Sequence, residues 1–586
     1  ITYALESEYQ YITLSNDNES GIHGVIIPKF TARNGSHKFR FAIDFGTTNT
    51  HIEYSVDGST SSNPFDITEK DMQIQKLHIT DDYMINDVFN SDFIPATIGG
   101  ESLYGYPMRT VISESNNTNW DKAVLAMANV NIPYTYEKSL SLPYNVLHTD
   151  LKWSTNTEDK KRASKYIESI LLMLRTKVLL NNGDLSKTEI VWFYPASMTQ
   201  NRFNKFKAEW ENTFATLFGA PISNIIAASE SVAPYYYHKA KKGATSTVVS
   251  VDIGGGTTDV LIVDKGEPKY LTSFRFAANT IFGDGYSYDS DSNGFVNKYK
   301  DIITNQLETN NLRGLKAVLK SVLDKRVSTD VIAFLFSLAS NKEIKKEKVE
   351  INFAKMLADD NRGKYVVILF YVAIVYHIAK LMKAKGFDMP RHMTFSGNGS
   401  KVLNILSTND ATLVRLTKII FEEIYAQSYS IDGLDIIRPA NSKESTCKGG
   451  IILTPFQSQD YGEIKDMKTI LIGTDNEKFA DVHMTYNDVT EADLDSVVDV
   501  IKEYIEFTFK LDKKFSFYDN FDVDRSIMNK VKDLCYRDIR TYLENGLAIK
   551  KSEIAQDGAD DNLEETLFFY PLVGIINAVV RNIYQM

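Results

Sequence analysis

The sequence has few of the residues that build disulfide and metal frameworks. Only two of its 586 residues are cysteines, Cys447 and Cys535, so no disulfide framework is expected, and this count suits a reducing compartment. The nine histidines lie singly along the chain, without a His-x-x-x-His pair, which argues against a zinc centre. We therefore expect a cytoplasmic protein that owes its stability to packing.

Three further features are missing. No Gly-x-x-x-x-Gly-Lys-Ser/Thr loop occurs, which excludes the P-loop mechanism. No long basic run occurs, and 76 acidic residues outnumber 65 basic ones, so we expect neither a nucleic-acid binder nor an anionic-membrane binder. The most apolar run, residues 365–378, is shorter than the about 20 residues that span a bilayer and predicts a buried core helix instead of a membrane span.

The chain is otherwise typical of globular proteins, with 43% hydrophobic and 24% charged residues. Its length is sufficient for three or four domains with large cores. The first residue is Ile1, and nothing near it resembles a signal peptide, so the chain is expected to be a processed or truncated piece.

The most informative stretch is residues 248–263, which read VVSVDIGGGTTDVLIV. Two apolar, β-branched runs flank three glycines and predict a strand, a tight turn and a returning strand. Glycines at such a bend let several backbone N–H groups point into one concavity, which favours an anion. Two threonines and two aspartates beside it, Asp252 and Asp259, favour a phosphate chain that carries a divalent cation. The alternative is a hairpin that only turns.

A second stretch, residues 41–54, repeats this pattern as FAIDFGTTNTHIEY. Asp44, Gly46, Thr47 and Thr48 correspond to Asp252, Gly254, Thr257 and Thr258 of the first stretch. The separation is about one domain, which indicates a duplicated architecture rather than a solenoid. We therefore expect two similar domains, each with a phosphate-binding hairpin, that face each other across a cleft.

Three motifs in this order resemble the ATPase superfamily that includes actin, the seventy-kilodalton heat-shock chaperones and the sugar kinases. IDFGTTNT (residues 43–50) and VDIGGGTTD (residues 251–259) resemble its two phosphate motifs, and MTFSGNGSKVLNIL (residues 393–406) is similar to its adenosine motif. The match is closest in style to chaperone-like and bacterial actin-like members. It implies an α/β fold, the duplicated actin-like ATPase fold with two mixed-sheet domains around a nucleotide cleft, followed by a mostly helical C-terminal extension.

The resemblance also implies a domain plan. Residues 1–40 form an N-terminal extension, 41–240 an ATPase domain I with an inserted subdomain, 241–455 a domain II with a helical insert, and 456–586 a mainly helical region. Residues 9–14 and 24–30 predict a pair of strands without an assigned function.

The implied ligands are ATP or ADP and Mg²⁺. Asp44 and Asp252 would hold Mg²⁺, mostly through its water shell. Asp44, Glu230, Asp252 and Thr257 are the candidate catalytic residues, with Asp259 in support; the alternative for Glu230 is an acid that stabilises a helix N-terminus. The candidate nucleotide-binding residues are Gly46, Thr47, Thr48, Asn49, Gly254, Gly255, Gly256, Thr257, Thr258, Asp259, Gly397, Asn398, Gly399 and Ser400.

Three details qualify this picture. Gly397-Asn398-Gly399 replaces the usual Gly-Gly pair; asparagine tolerates left-handed backbone, so the turn can form, but adenine selectivity is put in doubt. Lys152 lies between apolar neighbours. Its two interpretations are a contact with a phosphate and a surface lysine, and the second is favoured. The small-residue turn 282–285 is a weak candidate for a continued phosphate loop.

Beyond Thr454 the resemblance ends. Residues 469–486 suggest a hairpin, and three amphipathic helices are predicted near 490–511, 523–546 and 561–583. No β-rich peptide-binding domain is visible. The helical region is a candidate for contact with a protein partner or for self-association, and a helical cap packed on the ATPase core is the equal alternative.

These observations favour an ATP-binding, slowly hydrolysing, Mg-dependent switch ATPase whose cleft opens and closes to control a protein partner. An ATP-dependent actin-like filament former and a small-molecule kinase of the same superfamily are the alternatives. A nucleotide sensor that does not hydrolyse ATP is a further one.

Overall fold

The fold is taken from a computed structural model. It describes residues 10–15, 21, 24–28, 35–71, 73–74, 97–98, 106, 108–115, 130–132, 145–149, 151–153, 157–195, 198, 200–242, 247–286, 293–430, 433–439, 442–454, 485–557, 563 and 565–586. The predicted hairpin at 469–486 therefore lies almost wholly outside the described residues, as does the predicted boundary at 455.

The described part alternates strands and helices. Its strands are β1 (Ile12–Leu14), β2 (Gly24–Ile26), β3 (Phe39–Phe45), β4 (Asn49–Val56), β5 (Asn63–Pro64), β6 (Gln73–Ile74), β7 (Thr97–Ile98), β8 (Met108–Arg109), β9 (Ile112–Ser115), β10 (Val130–Asn131), β11 (Asn145–His148), β12 (Glu189–Tyr194), β13 (Ile225–Ser229), β14 (Val248–Ile253), β15 (Thr258–Asp264), β16 (Glu267–Phe274), β17 (His392–Ser396) and β18 (Asp435–Ile437). Its α-helices are α1 (Thr157–Leu180), α2 (Gln200–Phe218), α3 (Val232–Lys242), α4 (Ala278–Phe282), α5 (Gly294–Thr309), α6 (Arg313–Asp324), α7 (Ser328–Ser337), α8 (Lys342–Lys346), α9 (Phe353–Ala358), α10 (Lys364–Ala384), α11 (Leu403–Leu406), α12 (Asp410–Tyr425), α13 (Ser442–Ile452), α14 (Glu491–Phe515), α15 (Phe517–Phe521), α16 (Met528–Cys535), α17 (Ile539–Asp557) and α18 (Phe569–Asn582).

Two sheets have the same topology. Sheet one runs β5-β4-β3-β12-β13, and sheet two runs β16-β15-β14-β17-β18. In each, the first three strands pair antiparallel and the last three pair parallel. The predicted duplication is confirmed, because each sheet places one glycine hairpin, β3-β4 or β14-β15, beside the same pair of parallel strands.

The helices follow the same repeat. Parallel strands cannot be joined by a tight turn, so each pair requires a helical crossover. In chain order, α1 precedes β12 and α10 precedes β17. Helix α2 lies between β12 and β13, and α12 lies between β17 and β18. Helices α3 and α13 follow β13 and β18. The duplicated α/β architecture is therefore present in strands and helices alike.

The core is divided into three parts. One buried cluster lies between sheet one, α1 and α2, and includes Phe45, Tyr166 and Trp210. A much larger cluster surrounds sheet two and α10. A small third cluster, which includes Ala233 and Cys447, lies where α3 and α13 pack between the sheets. The two sheets are thus separate hydrophobic bodies joined at the crossing helices.

Helix α10 confirms the predicted core helix. It has the length and apolarity to cross a membrane, but 94% of its most apolar window is buried inside the protein. Its His377 packs against Phe568 and Phe569, and burial lowers the pKa of this imidazole to about 3. A histidine that stays neutral in this way behaves as part of the hydrophobic core.

Helices α14–α18, here called the C-terminal layer, pack on sheet two. Their apolar faces belong to the same cluster as the sheet. The Phe569 ring lies 4.0 Å from the Phe274 ring and 4.7 Å from that of Phe276, between centroids. Five helices stand where the sequence predicts three. This packing favours the helical-cap interpretation for the buried faces and leaves the outer faces for a partner.

Candidate functional site

The first hairpin forms a tight turn between β3 and β4. The Gly46 N–H donates to the Asn49 carbonyl at 3.1 Å and closes the turn. Thr110 supports it from outside: its N–H donates to the Thr48 carbonyl at 2.9 Å, and its hydroxyl donates to the Gly46 carbonyl at 2.7 Å. Thr47 lies at the tip of this turn. The carbonyls of the turn therefore point away from the cleft toward Thr110.

A buried hydroxyl chain anchors this support. The Thr50 and Thr110 hydroxyls lie 2.8 Å apart, and the Tyr166 hydroxyl donates to Thr50 at 2.8 Å. Burial raises the pKa of Tyr166, although the hydrogen bonds with the two threonines oppose the shift. The phenol therefore stays a neutral donor and joins the first hairpin rigidly to helix α1.

The second hairpin is closed in the same manner. The Gly254 N–H donates to the Thr257 carbonyl at 2.8 Å. Helix α4 lies behind it, and the N–H groups of Ala278 and Asn279 donate to the carbonyls of Gly254 and Gly255 at 3.3 and 2.8 Å. The loop carbonyls are thus held on the α4 side. In both hairpins, carbonyls of the turn are therefore engaged by a neighbouring segment of the chain.

The threonines and aspartates of the second hairpin face different surroundings. Thr258 is fully buried and donates to the Phe276 carbonyl at 2.6 Å, so its hydroxyl holds the hairpin rather than lining the cleft. Asp259 is also buried and pairs across the ladder with Asp252. Thr257 and Gly256 lie at the partly exposed tip.

The adenosine-type motif packs directly on the second hairpin. A Cβ at Gly397 would lie 2.2 Å from Asp252 Oδ1, and a Cβ at Gly399 would lie 2.1 Å from the Gly254 carbonyl oxygen, so only glycine fits at either position. The left-handed residue is Gly397, with φ 79°, whereas Asn398 begins a 3₁₀ helix. The expectation that asparagine would supply the left-handed backbone is therefore wrong.

The Asn398 side chain leaves a buried acceptor beside this cradle. Its Oδ1 is buried and has no hydrogen-bond partner. The neighbouring Ser400 hydroxyl donates to the Gly397 carbonyl at 2.7 Å and closes the turn. A buried acceptor that finds no donor among the described residues suits a ligand that offers one, as the amino group of a nucleobase does.

The two hairpin tips touch. A Cβ at Gly255 would lie 2.8 Å from Thr48 Cγ2 and 3.2 Å from Thr48 Oγ1. Two hairpins that are about 200 residues apart in the sequence thus meet at their tips. This arrangement, with the tips in contact, is here called closed.

Glu230 lies at the turn between β13 and α3, and the Lys152 ammonium donates to its carboxylate. The Lys152 side chain is 2% exposed and that of Glu230 is 14% exposed. The favoured interpretation of Lys152 as a surface lysine is therefore wrong. Because a buried lysine requires a counter-charge, Lys152 fixes the position of the Glu230 carboxylate.

A buried polar pair beside Asp44 was not predicted. His51 faces Asp44 across the β3-β4 ladder, and its Nε2 lies 3.1 Å from Glu53 Oε1. Glu53 also accepts a hydrogen bond of 2.8 Å from the Ser62 hydroxyl. The alternation of β4 offered an indication, since residues 51 and 53 share the face of Asp44.

The sheets meet through the crossing of α3 and α13. A Cβ at Gly449 would lie 1.9 Å from the Ala233 carbonyl oxygen, so glycine permits the contact. Thr446 lies 3.4 Å from Asp252 Oδ2, and Cys447 Sγ lies 3.4 Å from the His51 carbonyl oxygen. Helix α13 therefore touches both halves of the site.

One sequence assignment changes here. The turn 282–285 packs on α18, because a Cβ at Gly285 would lie 2.8 Å from Asn577 Cβ. It is therefore not a continuation of the phosphate loop.

The residues present fit a nucleotide with Mg²⁺. No group of three or more His, Cys, Asp or Glu side chains with metal-ligand spacing occurs in the described residues. Mg²⁺ retains several waters and is commonly bound through one or two carboxylates plus phosphate oxygens. Asp44 and Asp252, one at each hairpin, are the residues that would hold it.

Comparisons with known proteins gave matches among solved structures. No family model matches the chain, and no curated protein matches it in sequence. Among solved structures, MreB5 of Spiroplasma citri bound to ADP is similar at 13% identity and a TM-score of 0.30, over 73% of this chain and 99% of that one. The ethanolamine utilization protein EutJ from Carboxydothermus hydrogenoformans is similar at 10% identity and a TM-score of 0.28, over 71% of this chain and 90% of that one. A non-polymerising mutant of MamK bound to AMPPNP is similar at 14% identity and a TM-score of 0.31, over 72% of this chain and 98% of that one.

At these identities and TM-scores the alignments carry no argument about activity. The relevant evidence is the chain's own topology, with two sheets of equal strand order, two glycine hairpins that meet, and two helices that cross between the sheets. In these features the chain resembles the actin-like ATPases.

Proposed function

We propose that this protein is an ATP-binding and slowly ATP-hydrolysing molecular switch. The observation that supports this proposal best is the contact between the two hairpin tips, where Gly255 lies against Thr48. Two glycine hairpins that converge at one point suit a phosphate chain that lies beside their contact and binds backbone N–H groups of both. The glycine recess at 397–399 then suits the adenosine end.

The proposed chemistry divides among the two halves. Backbone N–H groups at residues 47–48 and 255–257, with the hydroxyls of Thr47, Thr48 and Thr257, bind the phosphates. Asp44 and Asp252 would hold Mg²⁺. Bound there, the ion neutralises negative charge on the phosphate oxygens. Glu230, with Lys152 to orient it, positions the attacking water, and Thr257 assists at the hairpin tip. Positioning and electrostatics supply most of the rate in such reactions.

The switch follows from the same contacts. The γ-phosphate bridges hairpins that belong to separate hydrophobic bodies. Its loss removes the bridge and lets the cleft open about the α3-α13 crossing, a hinge motion of the kind that ligands commonly control. In this proposal a protein partner in the cytoplasm reads the open and closed states, and the exposed faces of the C-terminal layer are the candidate contact.

The first experiment measures phosphate release from Mg-ATP by the purified chain without any second substrate. Asp252→Asn removes the charge at the second hairpin, and Asp301→Asn makes the same change at an exposed position of α5. We expect slow release by the wild type and Asp301→Asn and none by Asp252→Asn. Equal release by both variants would overturn the assignment, and nucleotide binding without release would overturn hydrolysis.

Two alternatives are tested beside it. An ATP-dependent filament former would sediment with Mg-ATP but not with Mg-ADP at protein concentrations where the switch stays in solution. A small-molecule kinase would consume ATP only when an acceptor with a free hydroxyl is added. Neither result is expected from a switch that hydrolyses ATP alone.

A further inference from the structure

A second recess lies behind the nucleotide cleft, within the C-terminal layer. It has a volume of 220 Å³ and lies partly open between α17, α18 and the turn 285–286. Eight residues line it. Six of them carry polar side-chain atoms, namely Arg581, Asn545, Asn577, Asn582, Tyr286 and Tyr542.

The arginine in this wall lacks a counter-charge. Arg581 is half-buried, and no carboxylate of the described residues forms an ion pair with it. One of its Nη atoms lies 3.4 Å from Asn577 Oδ1, and its Nε is buried without a partner. A guanidinium removed from water usually pairs with an anion, because the unpaired charge is costly.

The neighbouring groups complete a polar recess instead of neutralising the charge. Asn577 is 7% exposed, and its Nδ2 lies 3.5 Å from the Gly283 carbonyl oxygen. Tyr542 packs on Gly574, where a Cβ would lie 2.2 Å from the ring. Burial raises the pKa of Tyr542, and the charge of Asp538 adds to this shift. The charge of Arg581 opposes it and therefore acts on the Tyr542 hydroxyl in the recess wall.

We propose that this recess binds a small oxyanion, an inorganic phosphate or a small carboxylate, with the Arg581 guanidinium as its principal ligand. The planar guanidinium donates to two oxygens of such an anion at once. The volume of 220 Å³ falls below the roughly 300 Å³ at which pockets for larger organic ligands begin. A nucleotide is therefore not the expected occupant, and the site stands independently of the nucleotide cleft.

The test uses the full chain and titrates inorganic phosphate and succinate separately, by calorimetry and by thermal unfolding. Arg581→Gln removes the proposed ligand. Arg537→Gln, at an exposed position just before α17, makes the same charge change outside the recess. Asn545→Asp places a carboxylate at an exposed position of the recess wall, where it competes with an added anion.

We expect saturable binding of at least one probe by the wild type and by Arg537→Gln. The affinity for that probe should be at least about tenfold lower in Arg581→Gln and in Asn545→Asp, as loss of a charge-assisted contact predicts. The probe that saturates identifies the source of the anion. Equal affinities of Arg581→Gln and Arg537→Gln would overturn the proposal, even if phosphate also binds in the cleft, because the cleft is intact in both. Absence of saturable binding would overturn it as well. If Arg581→Gln does not fold, Asn545→Asp decides alone.

Discussion

The contact between the hairpin tips makes the closed cleft sensitive to a single methyl group. In Gly255→Ala the new Cβ lies 2.8 Å from Thr48 Cγ2, closer than carbon atoms pack. Gly255 does not have a positive φ, so the hairpin itself accepts alanine without backbone strain. The variant therefore perturbs the approach of the two halves rather than the fold of either.

The size of the effect follows from the geometry. Thr48 is β-branched and stiff, and its hydroxyl accepts a hydrogen bond of 3.1 Å from the side-chain Nδ2 of Asn49. Rotating the Thr48 side chain away from Gly255 therefore costs free energy. Inserting a methyl group into a packed contact typically costs about 1–3 kcal/mol. If closure is required for tight nucleotide binding, the apparent dissociation constant rises about 5- to 150-fold.

The assay is equilibrium binding of Mg-ATP, with hydrogen exchange at the hairpins as a second measurement. Gly256→Ala is the matched control, because a Cβ at that neighbouring position meets nothing within 4 Å. Thr48→Ser removes Cγ2 and should restore most of the affinity to Gly255→Ala. Equal affinities of the two glycine variants, or no rescue by Thr48→Ser, would refute the reasoning.

Three further predictions concern the supports of the site. Lys152→Met leaves the Glu230 carboxylate without its cation and should lower the free energy of unfolding in urea by about 3–5 kcal/mol. Adding Glu230→Gln should return part of this loss. An unchanged urea midpoint in Lys152→Met would show that the pair contributes nothing. Gly449→Ala places a Cβ 1.9 Å from a carbonyl oxygen of the facing helix. It should lower the melting temperature by an amount that corresponds to about 1–3 kcal/mol. A melting temperature equal to that of the wild type would mean that the helices separate freely. Burial raises the pKa of Asp360, but hydrogen bonds from a lysine, from the Tyr584 hydroxyl and from a backbone N–H outweigh it and hold the pKa below 3.8. The native pKa lies below the unfolded one, so this stabilisation is complete above about pH 4 and is lost as pH falls through the native pKa. Tyr584→Phe should therefore move acid unfolding, followed by fluorescence, to higher pH, and an unmoved midpoint would refute it.

The sequence was most informative where local pattern alone determines structure. The two hairpins follow from apolar runs on both sides of glycine, and helix α10 contains the whole apolar run 365–378 that predicts a core helix. The duplication could be predicted because both copies kept the order of aspartate, glycine and paired threonines. The assignment of individual residues to catalysis and to Mg²⁺ stays a prediction, since it concerns chemistry rather than position.

The sequence was least informative where contacts are distant or the backbone is unusual. The partner of Lys152 lies 78 positions away, which no local pattern shows. The C-terminal layer contains more helices than predicted because it breaks at Ser516, Asp522 and Asp538, each with φ 55°. Left-handed positions are usually marked by glycine or asparagine, so these breaks are not apparent in the sequence.

The division of the core constrains which part of the protein moves. The C-terminal layer and sheet two share one hydrophobic cluster, and hydrogen bonds lead from Asn577 through Gly283 and Asn279 to Gly255. Packed cores resist shear, so the layer and the second hairpin should move as one body. Val111 follows Thr110, which supports the first hairpin, and Leu147 lies on β11, which pairs with the adjoining strand β9. Both side chains are buried in that same cluster. Opening the cleft must withdraw these two side chains, and their exposure to water opposes opening even before nucleotide adds its own contacts.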